Sequence, residues 1–153
     1  MPVHQLTRVL PFTPEQLFHL VGDVDCYPQF VPWITAMRTW NRRADEAGAS
    51  LVDAEAQVGF SFLKERFSTC VRRDPLNRVV EVSLIRGPFK RLTNRWTFHP
   101  HPDGCQIDFE LEFDFRSLLL QQTVRLLFAD MDRDAVRMAS LEVALELLRE
   151  RLR

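Results

Sequence analysis

The sequence predicts an α+β fold: a curved seven-stranded antiparallel sheet around one long C-terminal helix, with two short helices after the first strand. Three observations predict it. From Ile34 to Phe115 apolar and polar residues alternate with period two, in segments broken by short turns. Beyond Ser117 the apolar spacing becomes helical. Between the first strand-like stretch and Ile34 lies a well-signed helix start followed by a proline-bounded turn.

The elements follow in order. Val3 to Leu10 reads as a strand. Thr13 caps the next helix, Pro14 takes its first position and Gln16 completes a capping box. Phe12 and Leu17 have the spacing of a hydrophobic staple, and Leu17, Leu20, Val21 and Val24 form its apolar stripe. The helix ends near Gly22–Asp23. Pro28 and Pro32 then restrict the segment from Asp25 to Trp33 to a short second helix or a tight turn. Strands are expected at Ile34–Arg42, Leu51–Phe60, Phe62–Arg72, Arg78–Arg86, Arg91–His99 and Cys105–Phe115. Turn residues separate them at Asp45–Gly48, Asp74–Asn77, Gly87–Pro88 and Pro102–Gly104. Such short loops require antiparallel neighbours, and clean alternation means one wet and one buried face. Val124, Leu127, Phe128, Met131, Ala135, Met138, Leu141, Leu145, Leu148 and Leu152 make the stripe of the final helix, which Ser117 can cap. At ~1.5 Å per residue that helix outruns a ten-residue strand, so it overhangs, bends or breaks.

Composition sets bounds. The 153 residues suit a single domain, 1–153. Hydrophobic residues at 46% and charged residues at 27% are globular values. Twenty Lys and Arg against 21 Asp and Glu leave a net charge of −1, hence no global basic field and no expectation of DNA binding. No apolar run reaches the ~20 residues of a membrane helix, and residues 1–10 do not read as a secretory signal. Cys26, Cys70 and Cys105 form no paired motif, the pattern of free thiols in a reduced, cytoplasmic setting. The glycines lie too far apart for a dinucleotide or Walker-type phosphate loop. His99, His101 and Asp103 share a hairpin better read as a solvated turn than as a metal site, so no metal or cofactor is expected.

A curved sheet and one helix close imperfectly, and the gap suits a ligand. By strand phase, Arg38 shares a face with Ile34, Ala36 and Trp40, Glu65 and Thr69 with Leu63, Phe67 and Val71, and Asn94 with Leu92, Trp96 and Phe98. These inward polar groups either pair with ordinary partners or orient the polar head of a ligand. The many phenylalanines of the strands read first as core. Tyr27, Phe30 and Trp33 in the proline-bounded turn, and Phe89 after Gly87–Pro88, read equally as packing or as a lid and ligand mouth.

The segment Asp25-x-Tyr27-Pro28-x-Phe30-x-Pro32-Trp33 resembles the YPxFxPW signature of the START-like coenzyme Q-binding family, with which the ribosome-association toxin RatA is grouped. Gly87-Pro88-Phe89-Lys90, then Leu92 and Trp96, the strand from Cys105 to Phe115, and Ser117-Leu118-Leu119 continue the likeness in order over nearly the whole chain. The resemblance implies the helix-grip (START/Bet v 1-like) fold and a hydrophobic tunnel for a lipid. It implies ubiquinone as bound ligand, support of respiratory electron transport as role, and no catalysis. On that reading Tyr27, Phe30, Pro32, Trp33 and Phe89 form the mouth. Phe128 and Met131 line the channel, Arg38 and Asn94 hold the quinone head, and Glu65 stands inside. The protein would then be cytoplasmic, visiting the inner membrane surface.

Two other readings stay open. A RatA-like regulator would bind the large ribosomal subunit and block subunit joining, through Arg42–Arg43, Arg72–Arg73 or the group Arg86, Lys90, Arg91 and Arg95. Basic residues near Phe89 would equally suit anionic lipid headgroups. A cyclase- or hydrolase-type enzyme would need an acid or base in the cavity, for which Glu65 is the candidate.

Overall fold

The computed structural model describes residues 3–29, 34–60 and 63–119. The elements are β1 (Val3–Leu10), α1 (Pro14–Gly22), a 3₁₀ helix (Val24–Gln29), β2 (Ile34–Ala44), β3 (Ser50–Phe60), β4 (Leu63–Asp74), β5 (Val79–Arg86), β6 (Phe89–His101) and β7 (Gly104–Phe115). The expected C-terminal helix, with Phe128 and Met131, lies outside the described residues, as do Phe30, Pro32 and Trp33.

All seven strands join one antiparallel sheet in the order β1-β7-β6-β5-β4-β3-β2. The run β2 to β7 is a meander, whereas β1 crosses to pair with β7, Leu10 opposite Cys105 and Val3 opposite Glu112. Register defines the inner face. Ala54, Thr69 and Leu84 lie in one row across β3, β4 and β5. Val80, Trp96 and Phe109 lie in another across β5, β6 and β7.

Helix α1 starts as its residues dictate. Gln16 N–H donates to Thr13 Oγ1 at 3.1 Å, and Thr13 N–H donates to Gln16 Oε1 at 2.9 Å. Leu17, Phe18, Val21 and Val24 are buried, and with Leu10, Val52, Val71, Val80, Trp96, Phe98, Cys105 and Ile107 they form the core. Phe18 meets Phe98 edge-to-face with centroids 6.4 Å apart, so α1 covers the inner face at the end that holds the β4–β5 and β6–β7 turns. Arg73 fastens it there, donating from Nη1 to the carbonyl of Gly22 at 3.1 Å, a cation at a helix C-terminus.

Several strand bounds differ from expectation. β6 runs from Phe89 to His101, two residues beyond each expected bound; β2 and β4 run on to Ala44 and Asp74; and Arg78 belongs to the turn, with φ of 54°. The bulges at Phe89–Arg91 and Trp40–Arg43 let β6 and β2 continue where strict alternation fails, whereas the left-handed Arg78 stands outside the ladder. Bulges interrupt β2 against β3 twice, β4 against β5 once and β6 against β7 once. Each adds bend and twist to the sheet.

Candidate functional site

With α1 over one end of the inner face, the other end is lined by aromatic side chains. Phe89 meets Phe67 at 5.5 Å and Phe113 at 6.3 Å between centroids, both edge-to-face, and stacks on Phe115 at 5.0 Å. Phe113 meets Phe115 at 5.5 Å. All four rings are half-buried. The bulge between Phe89 and Arg91 makes this possible, because it turns Phe89 to the same side as Leu92. Phe89 is therefore the first residue of a strand inside an aromatic cluster, not a loop residue. The Gly87–Pro88 connection presses close: a methyl at Gly87 would stand 2.6 Å from Phe67 Cβ. Arg116 closes the other side, its amide donating to Pro88 O at 2.9 Å and its Nε to Phe89 O at 3.1 Å.

Deeper along β6, Trp96 lies against Phe109 and Phe98 with centroids 4.8 and 6.4 Å away. Its indole N–H donates to Asn94 Oδ1 at 2.8 Å, while Asn94 Nδ2 donates to Glu110 O at 2.9 Å. Asn94 thus has the inward phase expected of it, and one amide proton beyond these bonds. Glu65, opposite Val58, is the only carboxylate that register turns toward the inner face among the described strands. It sits two residues from Phe67, at the aromatic end. Thr69, also inward, is buried.

Arg38 corrects the expectation. The bulge between Ile34 and Ala36 shifts the phase of β2, so Met37 rather than Arg38 stands on the inner side, opposite Ala56. Arg38 lies on the outer face, 72% exposed, 3.7 Å from Glu55 and with its guanidinium 5.0 Å from the Trp40 ring centroid. It is not among the groups that face a ligand there. Tyr27 falls in the 3₁₀ helix by backbone; the other turn and helix candidates lie outside the described residues. Phe67, Phe113 and Phe115 were read as core from the sequence. Their common signal is inward phase on the half of each strand nearest the Gly87–Pro88 turn.

The outer face is polar. Asp53 accepts from Asn41 at 3.0 Å and from Arg43 at 3.1 Å, which holds its carboxyl below the ordinary range. Arg72 donates to Asp45 at 2.9 Å, with the same effect on Asp45. Arg42 pairs with Asp25 at 3.0 Å and Arg78 with Glu15 at 2.8 Å. Of the two basic pairs, Arg42, Arg43 and Arg72 each have a carboxylate partner and Arg73 donates to the Gly22 carbonyl. His99 pairs with Asp108 at 2.8 Å, and His101 Nδ1 accepts from the Asp103 amide at 3.1 Å, so this hairpin uses its imidazoles locally. Among the described residues no group of three or more His, Cys, Asp or Glu could hold a metal ion.

An antiparallel sheet with α1 over one end of its inner face and aromatic side chains at the other is matched by known proteins. Residues 10–138 match the family described as polyketide cyclase/dehydrase and lipid transport. The chain belongs to that family. It is 31% identical to the persistence and stress-resistance toxin PasT of Escherichia coli O6:H1, over 89% of this chain and 83% of that protein. It is likewise 31% identical to the ribosome association toxin RatA of Rickettsia prowazekii, over 78% and 81%. Coenzyme Q-binding protein COQ10 homolog B of Xenopus laevis is 31% identical over 85% of this chain, which spans 53% of that protein. Among solved structures, an 18 kDa protein of Caulobacter crescentus is 54% identical, covers 99% of this chain and 95% of its own, and superposes with a TM-score of 0.73. A START superfamily protein of Mycobacterium smegmatis is 21% identical over 99% of both chains with a TM-score of 0.74, a likeness of fold.

Proposed function

We propose that this protein binds ubiquinone or a related polyprenyl lipid on the inner face of its sheet, unchanged, as a carrier supporting respiratory electron transport. The observation that carries the reading is the cluster of Phe67, Phe89, Phe113 and Phe115, half-buried at the end of the face that α1 leaves open. An isoprenoid tail needs such a dry wall, since each buried CH₂ contributes about 0.8 kcal/mol. Family membership and the coenzyme Q-binding relative support it. In this reading Tyr27, Phe30, Pro32 and Trp33 complete the mouth beside Phe89. Phe128 and Met131 line the channel, and Asn94 offers its remaining N–H to a quinone carbonyl. Holding a lipid requires no acid or base, and Glu65 then serves as a polar neighbour of the head group.

A second reading is favoured by the toxin relatives: association with the large ribosomal subunit, blocking subunit joining. One experiment separates the two. The protein is purified from a bacterial host without detergent, extracted with organic solvent, and the extract analysed by mass spectrometry. Stoichiometric ubiquinone, lost from the Trp33→Ala/Phe89→Ala double variant, is the expected result. An empty protein that co-sediments with ribosomal subunits, more so at low salt, overturns the carrier reading in favour of the regulator.

A further inference from the structure

We infer that the end of the sheet at the Phe89 cluster is a docking surface for an anionic phospholipid membrane. The inference rests on the carrier reading for its purpose but not for its evidence. The charges of the two ends differ in kind. At the α1 end Arg42, Arg43, Arg72 and Arg78 each have a carboxylate within 3.1 Å. At the opposite end Lys64, Arg66, Arg86 and Lys90 are exposed, and none forms an ion pair among the described residues. Arg116 is exposed beside them, fixed to the backbone at Pro88–Phe89. The carboxylates nearby are mostly engaged: Glu55 with Arg38 at 3.7 Å, and Glu112 and Asp114 with Arg91 at 3.7 and 4.0 Å. Glu65 is turned to the inner face by register.

Apolar side chains at the same end of the sheet are exposed as well. Ile85 is 53% exposed, pushed out by the bulge that sets Arg86 opposite Ser68 and Leu84 opposite Thr69. Leu118 and Leu119, just beyond Arg116, are 77% and 74% exposed. Cations without an ion-pair partner among the described residues, beside exposed aliphatic groups at the same end, fit a bilayer interface, where the charges meet anionic headgroups and the aliphatic tips enter the acyl boundary. A phosphate polymer alone would account for the cations and leave the aliphatic groups without a use. The surface also borders the phenyl cluster, so a docked protein would present that cluster to the bilayer.

The test is flotation of the full chain with vesicles that contain no quinone, either neutral phosphatidylcholine or phosphatidylcholine with one-third phosphatidylglycerol. Binding to the anionic vesicles alone, weakening as salt rises, is expected. Neutralising a cation near such a surface lowers partitioning about fivefold, so Arg86→Gln/Lys90→Gln should lose about 25-fold. Ile85→Ser/Leu118→Ser should weaken binding at low salt too, while Leu76→Ser, also exposed but at the far end, should leave it unchanged. Circular dichroism melts confirm that each variant is folded. Equal binding to both vesicle types, absence of binding, or indifference to Arg86→Gln/Lys90→Gln overturns the inference. So does a protein that ignores vesicles but binds ribosomal RNA through these same residues. Quinone retention is measured separately, so failure of docking and failure of the carrier reading are distinguishable.

Discussion

Gly87→Ala tests how the turn holds the aromatic cluster in place. The backbone at Gly87 is not in the left-handed region, so alanine is conformationally acceptable there. Space is the obstacle. The new methyl would lie 2.6 Å from Phe67 Cβ and 3.3 Å from Phe67 Cα. Carbon atoms pack at ~3.5–4.0 Å, so the turn must retreat by about 1 Å. Phe67 cannot yield instead, because its backbone is laddered to Ala56 in the middle of β4. Overpacking of this kind costs about 1–3 kcal/mol. With a urea m-value of ~1–3 kcal/mol per molar, a 2 kcal/mol loss moves the midpoint by about 1 M. The same retreat carries Phe89 off Phe67, so quinone retention should fall with stability. Phe67→Gly removes the opposing carbon. In that background Gly87→Ala should cost much less, only the 3.3 Å approach to the Cα of residue 67 remaining. A neutral Gly87→Ala in the wild-type background would refute the close-approach argument. So would a penalty of the same size beside Phe67→Gly.

Phe98→Ala, at 1% exposure between Phe18 and Trp96, should cost about 3–5 kcal/mol in urea titrations. Phe89→Ala, half-buried, should cost less and act mainly on ligand retention. Asn41 and Asn77 hydrogen bonds, with arginines beside them, hold Asp53 and Asp74 below the usual 3.8. Below that pH the unfolded chain takes up protons that the native carboxylates refuse. Stability from these groups is therefore complete above about pH 5 and lost on acidification, and Asp53→Asn should flatten the acid limb of the midpoint–pH curve. Burial pushes the Cys105 thiol up to about 11, so at pH 8 iodoacetamide should label half-buried Cys70 first and Cys105 only as fast as the protein unfolds, read by peptide mass spectrometry.

Much of the fold was legible because its signals are local. The capping box of Thr13 and Gln16, and the alternation from Cys105 to Phe115, required nothing from elsewhere in the chain. The face occupied by Arg38 was not legible. A single extra residue near Thr35 inverts the phase of β2, and no side-chain pattern marks a bulge that its partner strand defines. Phe89 was singled out for an incomplete reason, as a loop aromatic. The bulge at the start of β6 recruits it into the sheet, and its partners Phe67 and Phe115 come from strands 22 and 26 residues away, a proximity that only the register reveals. Arg73 was read as half of a basic pair. Its role as fastener of α1 depends on a close approach at Gly22, where a methyl would meet Arg73 Cδ at 2.8 Å.

The pairing of β1 with β7 has a consequence for the order of birth. Val3 leaves the ribosome long before Glu112, its partner. At ~5–20 residues per second the wait is on the order of ten seconds. Over that interval β2 to β6 can zip together hairpin by hairpin, through contacts close in sequence. β1, made before all the strands of the meander, is then among the last to be seated. Until it docks, the nascent chain carries β1 unpaired, and α1, tethered just behind it, lacks Ile107 from the core cluster it shares. Closure of β1 on β7 should thus be the late, slow step of folding, and the one most exposed to a chaperone.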